Sequence, residues 1–345
     1  MPPEAPSYDA IVDACRILRG RAVVTPLIRS AALDAATGGR VAIKAESLQV
    51  TGSFKYRGAY TAIARLSSAA RSRGVVAYSS GNHAKAVAQA ARDFGCPATI
   101  VMPADAPTTK MAGTRAAGAE IVTYDRRTGD REAIAGRIAD ETGRSIIHPY
   151  DHPDTICGQG TVGLEIADQC RLAGLSPDAV LVPCSGGGLI AGVALALETK
   201  LPRARCWAAE PEAYDDTRRS LEAGGRVAVP TASASICDAL QSPMPGQLTF
   251  EINRRLLAGA LVARDDEVLH AMRFALDHLK LVLEPGGAIA LAALLAGRLK
   301  AAGREIVVIC SGANVDPAML RRALEEDQSP TGKPSGREPP TEAGD

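Results

Sequence analysis

One lysine in this sequence stands where its side chain could act as a nucleophile. Lys55 lies in a polar segment, residues 46–59, directly before a stretch in which Ala59, Ile63 and Leu66 recur at helical spacing. The positive end of a helix dipole and burial both disfavour an ammonium group, so a lysine in a first helical turn is shifted towards the neutral amine. A neutral amine is what a Schiff base with a carbonyl compound requires. The alternative is a solvated surface lysine, the usual situation of this residue.

A first anion-binding loop is predicted after the apolar run Val75 to Tyr78. The chain continues as Ser79-Ser80-Gly81-Asn82-His83 and then enters an alanine-rich helix. Hydroxyl groups and free backbone N–H groups therefore converge at a helix N-terminus, where a substrate carboxylate could bind. The alternative is a tight turn in which a serine only caps the helix.

A second anion-binding loop follows the apolar run Val180 to Val182. Its sequence is Ser185-Gly186-Gly187-Gly188-Leu189, and it opens another helix. Consecutive glycines let the backbone curl into a nest of amide groups that can surround a phosphate.

The same glycines leave two other classes of protein open. Gly186, Gly188 and Ala191 match the loose dinucleotide-binding pattern, and Glu210 ends the next predicted strand where a ribose-binding acid would stand. A nicotinamide-dependent oxidoreductase is therefore an alternative, although hydride transfer gives the lysine no role. A ligand sensor that kept the fold without chemistry is a further alternative, against which the intact lysine argues.

Taken in order along the chain, these segments resemble a known family. The segment around the lysine reads Ser53-Phe54-Lys55-Tyr56-Arg57-Gly58-Ala59 and is similar to the cofactor-lysine segment of the threonine dehydratase and serine racemase family. The serine-serine-glycine-asparagine-histidine loop is similar to the family's substrate loop, and Leu283 to Ala288 resembles its glutamate-proline-glycine-glycine-alanine turn, where Glu284 could face the active site. The resemblance spans roughly residues 8 to 325 and indicates a fold type II enzyme, of the tryptophan-synthase-β-like class, that uses pyridoxal phosphate.

The resemblance implies a role for each motif residue. Lys55 would form the Schiff base with the cofactor and later accept the α-proton of the substrate, while Ser80 would stand on the opposite face of the ring. Asn82 would contact the cofactor's 3-hydroxyl group. The cofactor-binding set also includes Phe54, Ser185, Gly186, Gly187, Gly188, Leu189 and Ser311. The substrate-binding set comprises Ser79, Ser80, Gly81, Asn82 and His83, of which His83 is as readily structural as catalytic.

Ser311 follows the predicted strand Ile306 to Cys310 and matches the serine that contacts the pyridine nitrogen in the family. A neutral hydroxyl leaves that nitrogen unprotonated and makes the ring a weaker electron sink than an aspartate partner would. A substrate with a leaving group on Cβ can then eliminate it before a carbanion persists. The choice of serine thus favours β-elimination.

An acidic segment, Glu210 to Asp216, could bind a metal ion. By resemblance to serine racemases and some dehydratases, Glu210, Asp216 and the backbone carbonyl of Tyr214 would bind Mg²⁺ or Ca²⁺, cations that prefer hard oxygen ligands. The alternative is a solvated helix start, because acids favour the first turn of a helix.

The function implied is the removal of water and then ammonia from a β-hydroxy amino acid, with L-threonine or L-serine as the default substrate and a 2-oxo acid as product. A threonine or serine ammonia-lyase is therefore predicted. A serine racemase and a dehydratase of 3-hydroxyaspartate or phenylserine are alternatives, because residues outside the motifs decide the substrate.

Apolar segments alternate with helical ones along most of the chain, which predicts an α/β fold rich in parallel sheet, with two domains and the active site in the cleft between them. We expect residues 1–50 and 153–327 to form a large cofactor-binding domain, residues 51–152 a smaller mobile domain, and residues 328–345 a disordered tail.

Composition narrows the possible partners of the 345-residue chain. Lys and Arg (39) balance Asp and Glu (39), so no net charge attracts nucleic acid or an anionic membrane. The N-terminus lacks the pattern of a signal peptide, and the apolar run Ala288 to Ala296 is too short to span a bilayer. Eight cysteines without a CxxC pair indicate reduced thiols. We expect a cytoplasmic homodimer that acts on a small amino acid.

Overall fold

Two mostly parallel β-sheets organise the chain. They are seen in a computed structural model that describes residues 4–106, 108–125, 127–230 and 234–325. The predicted tail, 328–345, lies outside these residues. The strands are β1 (Leu27–Arg29), β2 (Arg40–Ala45), β3 (Val75–Tyr78), β4 (Ala98–Pro103), β5 (Glu120–Tyr124), β6 (Ser145–Ile146), β7 (Ala179–Pro183), β8 (Arg205–Pro211), β9 (Leu257–Ala263) and β10 (Glu305–Cys310).

One sheet has six strands in the order β1-β2-β10-β7-β8-β9, and the other has four in the order β5-β4-β3-β6. All neighbouring strands are parallel except β1 and β2. The four-stranded sheet comes entirely from residues 75–146, and the six-stranded sheet from 27–45 and 179–310. The predicted mixed α/β fold with two parallel-sheet units is confirmed, while the boundaries near residues 50 and 152 stay a prediction.

Helices connect the strands and cover both sheets. They are α1 (Tyr8–Leu18), α2 (Ala31–Thr37), α3 (Lys55–Arg65), α4 (Ser68–Arg73), α5 (Asn82–Asp93), α6 (Thr108–Ala116), α7 (Arg131–Thr142), α8 (Pro153–Leu172), α9 (Gly188–Lys200), α10 (Asp216–Ala223), α11 (Gln247–Leu256), α12 (Asp265–Phe274), α13 (Pro285–Leu295) and α14 (Pro317–Glu325). Within the described ranges, no helix combines the length and apolar character that crossing a membrane requires.

Strand β3 has the bounds of the apolar run Val75 to Tyr78, and β7 extends the run Val180 to Val182 by one residue at each end. Strand β9 begins at Leu257. Its early part contains Gly259, which lies against Trp207 of β8: an added Cβ would be 2.8 Å from the ring. A strand interrupted by a glycine in close contact loses the continuous apolar pattern that marks a strand. The same region carries an irregular register between β8 and β9.

Helix α8 lies between α3 and α9 with its backbone close to both. A Cβ added at Gly158 of α8 would stand 2.3 Å from the carbonyl oxygen of Arg57 in α3. On the other side, a Cβ added at Gly192 of α9 would stand 2.4 Å from the carbonyl oxygen of Ile156, and one at Gly160 would stand 2.8 Å from the carbonyl oxygen of Gly192. No side chain fits at these contacts, so glycine there fixes the spacing of the three helices.

A buried network of charges joins α3 and α8 to β2. Arg57 is 1% exposed and donates hydrogen bonds to both carboxylate oxygens of Glu46 and both of Glu165. Lys44, fully buried, also binds Glu165. Burial alone would raise the pKa of Glu46, but the adjacent guanidinium lowers it below its ordinary value. The positive charges of Arg57 and Lys44 are therefore paired with the negative charges of Glu46 and Glu165.

This network generates a prediction about stability. Arg57→Met should lower the free energy of unfolding of the cofactor-free protein by about 3–5 kcal/mol, because it leaves Glu46 buried without its cation. Arg255→Met is the matched control, since Arg255 and Glu198 form an exposed pair that should contribute at most about 1 kcal/mol. Urea titration measures both, and a loss for Arg57→Met no larger than for the control would contradict the prediction.

Candidate active site

Lys55 is the first residue of α3 and lies at the carboxyl end of β10. The preceding residues pair with the segment that leaves this strand: the backbone N–H of Phe54 donates to the carbonyl of Ser311 (3.1 Å), and Ser53 forms a β-bridge with Gly312. The ammonium nitrogen of Lys55 lies 5.1 Å from the centre of the Phe54 ring. The structure thus brings Ser311 next to Phe54 and Lys55, although Ser311 is far from both in the sequence.

The surroundings of Lys55 favour its neutral form. Its Nζ donates to the carbonyl of Pro149 (2.7 Å), and it forms no ion pair with the described part of the chain. Burial lowers the pKa of Lys55 to about 8. Lys44 is fully buried, but its Nζ binds the carboxylate of Glu165, the carbonyl of Thr25 and the side chain of Gln169. Of these two lysines, only Lys55 lacks a carboxylate that would hold it as a cation.

The predicted substrate loop follows β3 and enters α5 at Asn82. Ser79, Ser80, Gly81 and Asn82 are partly exposed, and the hydroxyl of Ser79 accepts the N–H of Gly81 (3.2 Å). The first turn of α5 offers backbone N–H groups that have no acceptor within the helix. The loop therefore has the form of an anion site, while the individual roles of Ser79, Ser80 and Gly81 stay predictions.

Asn82 links this loop to the carboxyl end of β10. Its side-chain N–H donates to Glu284, and its oxygen accepts from Asn314 (2.7 Å). The backbone N–H of Glu284 in turn donates to the carbonyl of Gly312, directly after Ser311. Asn82 and Glu284 are therefore held near the end of β10, the same end that carries Ser311.

His83 is held as a structural group. Its Nε2 lies 2.8 Å from the carbonyl of Ile147, and its Nδ1 has no hydrogen-bond partner among the described residues. Burial, with a smaller contribution from Lys55, lowers the pKa of His83 to about 3. A neutral imidazole whose Nε2 donates to a carbonyl anchors the loop, so the geometry favours the structural one of the two roles expected for His83.

The glycine-rich loop precedes α9 and presents free amide groups. Gly187 has a positive φ of 92°, a conformation that glycine adopts without strain. The carbonyl of Gly186 accepts from the hydroxyl of Thr249 (2.6 Å) and that of Gly187 from the side chain of Asn253 (3.4 Å), both on α11. With these carbonyls turned to α11, the backbone N–H groups of residues 185–189 bind no acceptor in the described chain and can surround an anion.

Tyr150 connects Lys55 to the glycine-rich loop, and sequence analysis missed it. A Cβ added at Gly186 would lie 2.5 Å from the Tyr150 ring, and Tyr150 directly follows Pro149, the hydrogen-bond partner of Lys55. His148 completes this segment: its Nδ1 accepts the N–H of Asp151 (2.8 Å), and burial lowers its pKa to about 4. The segment follows β6, so the rule that sites form at carboxyl ends of parallel strands could have found it.

These residues fit pyridoxal phosphate. The loop 185–189 offers a nest of free amides for the phosphate, and Lys55 offers the aldehyde an amine whose pKa burial lowers to about 8. Ser311 is 5% exposed, and its hydroxyl forms no hydrogen bond to the described residues, so it is available to a ring nitrogen.

The acidic segment after β8 places two carboxylates together. Glu210 accepts the N–H groups of Thr217 and Arg218 (2.9 Å each), whereas neither carboxylate oxygen of the buried Asp216 has a partner in the described structure. Burial raises the pKa of both groups, and the neighbouring Glu210 raises that of Asp216 further. Tyr214 is buried beside them. No group of three or more His, Cys, Asp or Glu side chains suited to a metal occurs in the described ranges.

Two sheet units rich in parallel strands, with a lysine at one strand end and a glycine-rich loop at another, are the architecture of a fold type II pyridoxal-phosphate enzyme. The chain belongs to the pyridoxal-phosphate dependent enzyme family, which it matches over residues 19–312. This finding confirms the predicted cofactor and favours it over a nicotinamide dinucleotide.

Relatives of known activity cover nearly the whole chain. The L-threo-3-hydroxyaspartate ammonia-lyase of a Pseudomonas species is 44% identical over 90% of this chain and 96% of its own. The L-threonine ammonia-lyase of Thermotoga maritima is 38% identical over 95% of this chain and 80% of its own. Among solved structures, maize serine racemase has a TM-score of 0.87 and 38% identity, covering 94% of this chain and 98% of its own.

The lowered pKa of Lys55 predicts how covalent attachment of the cofactor depends on pH. Because the pKa of Lys55 is about 8, its amine is mostly protonated at lower pH and cannot attack the cofactor's aldehyde. The rate of attachment should therefore rise with pH through about 8 and then level off. Stopped-flow absorbance of the cofactor-free protein mixed with pyridoxal phosphate measures this rate, with Lys55→Ala as the unreactive control. A midpoint near the ordinary lysine value of about 10.4 would contradict the prediction.

Proposed function

We propose that this enzyme removes water and ammonia from a β-hydroxy amino acid to give a 2-oxo acid and ammonium. The proposal is carried by Lys55, whose amine has a pKa lowered to about 8. Two proposed anion sites accompany it, and the predicted position beside the ring nitrogen holds the hydroxyl of Ser311 rather than a carboxylate. Water is lost across Cα and Cβ, and one water then replaces ammonia, so the net products are the 2-oxo acid and ammonium.

Each site residue has a proposed task. Pyridoxal phosphate, when bound, supplies an electron-withdrawing ring that weakens the bonds to the substrate's α-carbon. The amide groups of residues 185–189 bind its phosphate, and the first turn of α5 binds the substrate carboxylate. The Nζ of Lys55 accepts the α-proton, a transfer suited to a group whose pKa is near the working pH.

Serine racemisation is a second candidate activity. It needs an acid that reprotonates Cα from the face opposite the lysine, and Ser80 is proposed for this task because its hydroxyl group belongs to the partly exposed loop after β3. Elimination needs only the lysine and a leaving group. Racemisation and elimination would therefore compete for the same deprotonated substrate, and we propose that elimination dominates.

Arg131 supports 3-hydroxyaspartate as the preferred substrate, ahead of L-threonine and L-serine. It begins α7, its guanidinium lies 5.9 Å from the centre of the Tyr78 ring, and Tyr78 directly precedes the substrate loop. The Tyr78 ring contacts His148 edge-on, beside the Lys55 acceptor Pro149. Arg131 forms no ion pair with the described residues, so its charge is available to a second substrate carboxylate, which threonine and serine lack.

A substrate panel with Arg131→Met tests this proposal. Removing the guanidinium should lower kcat/KM for L-threo-3-hydroxyaspartate by about 10- to 100-fold, the effect of losing a charged hydrogen bond, and change L-serine turnover little. Detection of 2-oxo acid together with ammonium measures the reaction.

Arg137→Met is the matched control, because Arg137 lies on the same helix and is exposed as Arg131 is, but contacts no aromatic ring in the described structure, so both substrates should be unaffected. Equal losses for both substrates with Arg131→Met would mean that Arg131 does not distinguish the second carboxylate, and the substrate assignment would fail. Absence of 2-oxo acid from every β-hydroxy amino acid tested would contradict the proposed function itself.

We further propose that Glu210, Asp216 and the carbonyl of Tyr214 bind Mg²⁺ or Ca²⁺. The support is the pair of buried carboxylates, one of them without a partner in the described chain. A hard cation would balance their charge and would be expected to stabilise the loop between β8 and α10.

Chelation should therefore lower the melting temperature of the wild-type enzyme, and added Mg²⁺ or Ca²⁺ should restore it. Asp216→Asn should abolish this response, yet be at least as stable as the metal-free wild type, because it removes a buried carboxyl group that has no partner among the described residues. Glu222→Gln, at an exposed acid nearby, should keep the response. Differential scanning fluorimetry measures these melting temperatures. A wild-type enzyme whose melting temperature does not change on chelation, or an Asp216→Asn variant whose melting temperature does, would rule the metal site out.

A homodimer is proposed from an exposed apolar surface next to the lysine segment. Val23, Val24, Leu48 and Val50 are each more than 40% exposed. They adjoin one another, because the side-chain oxygen of Gln49 accepts the N–H groups of Val23 and Val50 (2.9 Å each). Apolar patches of this kind mark association sites, and a second copy of the chain is the proposed partner.

A cytoplasmic location is proposed from the thiols. All eight cysteines are free, seven of them buried. Free thiols in this number suit a reducing compartment.

A further inference from the structure

The side chain of Gln159 is buried without a hydrogen bond. It is fully buried in the middle of α8, and neither its Nε2 nor its Oε1 has a partner among the described residues. Buried carboxamide groups in proteins are nearly always hydrogen-bonded, because leaving them unpaired is costly. The unpaired state therefore calls for a group that the polypeptide itself does not provide.

Gln159 lies where two helices begin. A Cβ added at Gly188, the first residue of α9, would stand 2.7 Å from its Oε1. A Cβ added at Gly58, in the first turn after Lys55, would stand 3.1 Å from its Nε2. The carboxamide thus separates the start of the lysine helix from the start of the glycine-loop helix, and no side chain larger than glycine's fits at either contact.

Gln169, on the same helix, differs from Gln159 because both polar atoms of its side chain have hydrogen-bond partners. Gln169 donates from Nε2 to the carbonyl of Thr25 (2.8 Å), and its Oε1 accepts from Nζ of Lys44 (2.9 Å). Helix α8 therefore satisfies a half-buried glutamine where the polypeptide supplies partners. For Gln159 it does not, although that side chain is more deeply enclosed.

We propose that Gln159 binds the phosphate group of the cofactor, donating Nε2–H to the same anion that the amide groups at the start of α9 surround. Because neither polar atom has a partner, a half-turn of the carboxamide that brings Nε2 to the Gly188 side breaks no hydrogen bond in the described structure. A neutral donor at a helix N-terminus adds to the favourable field there without requiring a buried cation. The inference rests on the proposed position of the phosphate at residues 185–189.

The test compares two ligands and two variants. In Gln159→Met, which has a similar shape and no polar group, pyridoxal phosphate should bind about tenfold more weakly or worse, the expected effect of losing a hydrogen bond to a charged group. Pyridoxal, which lacks the phosphate, should bind as to wild type. Absorbance titration of the cofactor-free proteins measures both affinities. Melting of the cofactor-free Gln159→Met protein should occur at the wild-type temperature or above, since the variant removes an unpaired polar group.

Gln169→Met is the matched control and should show the reverse: a lower melting temperature without cofactor and unchanged affinity for pyridoxal phosphate. If Gln159→Met does not fold, Gln159→Glu serves instead, and its carboxylate should weaken phosphate-dependent binding more strongly still. Unchanged affinity of the Gln159 variant for pyridoxal phosphate, or equal weakening for pyridoxal, would overturn the inference. Failure of the wild-type enzyme to release a 2-oxo acid would count against the proposed reaction only, because cofactor affinity is measured without turnover.

Discussion

The structure depends on a fixed distance between two helix N-termini. In the proposed function the cofactor is attached to Lys55 at the start of α3 and its phosphate binds at the start of α9, so these two helices must keep a fixed spacing. Helix α8 sets their spacing by backbone contacts at Gly158 and Gly160. Arg57, bound to both carboxylate oxygens of Glu165, ties α3 to α8. A buried ion pair is a weak source of net stability, but its geometry is demanding, and here that geometry maintains the spacing.

Electrostatics separate the reactive lysine from the rest of the interior. Lys44 and Arg57 are buried with carboxylate partners, whereas Lys55 faces a backbone carbonyl. The nearby histidines, His83 and His148, have lowered pKa values because they are buried, so they add no positive charge near neutral pH. The site combines an amine whose pKa is about 8 with backbone amides that are free to bind anions, an arrangement suited to an anionic cofactor and substrate.

Local patterns in the sequence predicted the lysine segment, both anion loops and most strands, because each is encoded by contiguous residues: apolar runs, then turn residues, then a helix. What was missed depends on distant contacts. Gly158, Gly160 and Gly163 have the spacing of a dinucleotide-binding pattern, yet they lie inside α8 and pack against other helices. Helix α11 is an exception, since it was missed although Leu248, Ile252 and Leu256 recur at helical spacing within a contiguous segment. The unpaired state of Gln159 is visible only when α3, α8 and α9 are assembled, and the boundaries of the two domains stay predictions.

The central claim is that Lys55, the half-buried lysine without a carboxylate partner, holds the cofactor. Borohydride reduction of the enzyme loaded with pyridoxal phosphate, followed by proteolysis and mass spectrometry, tests it directly. The account predicts a single pyridoxyl group on the peptide that contains Lys55, with the peptide that contains Lys44 unmodified. Modification of Lys44 or of a surface lysine in place of Lys55, or no covalent attachment at all, would contradict it.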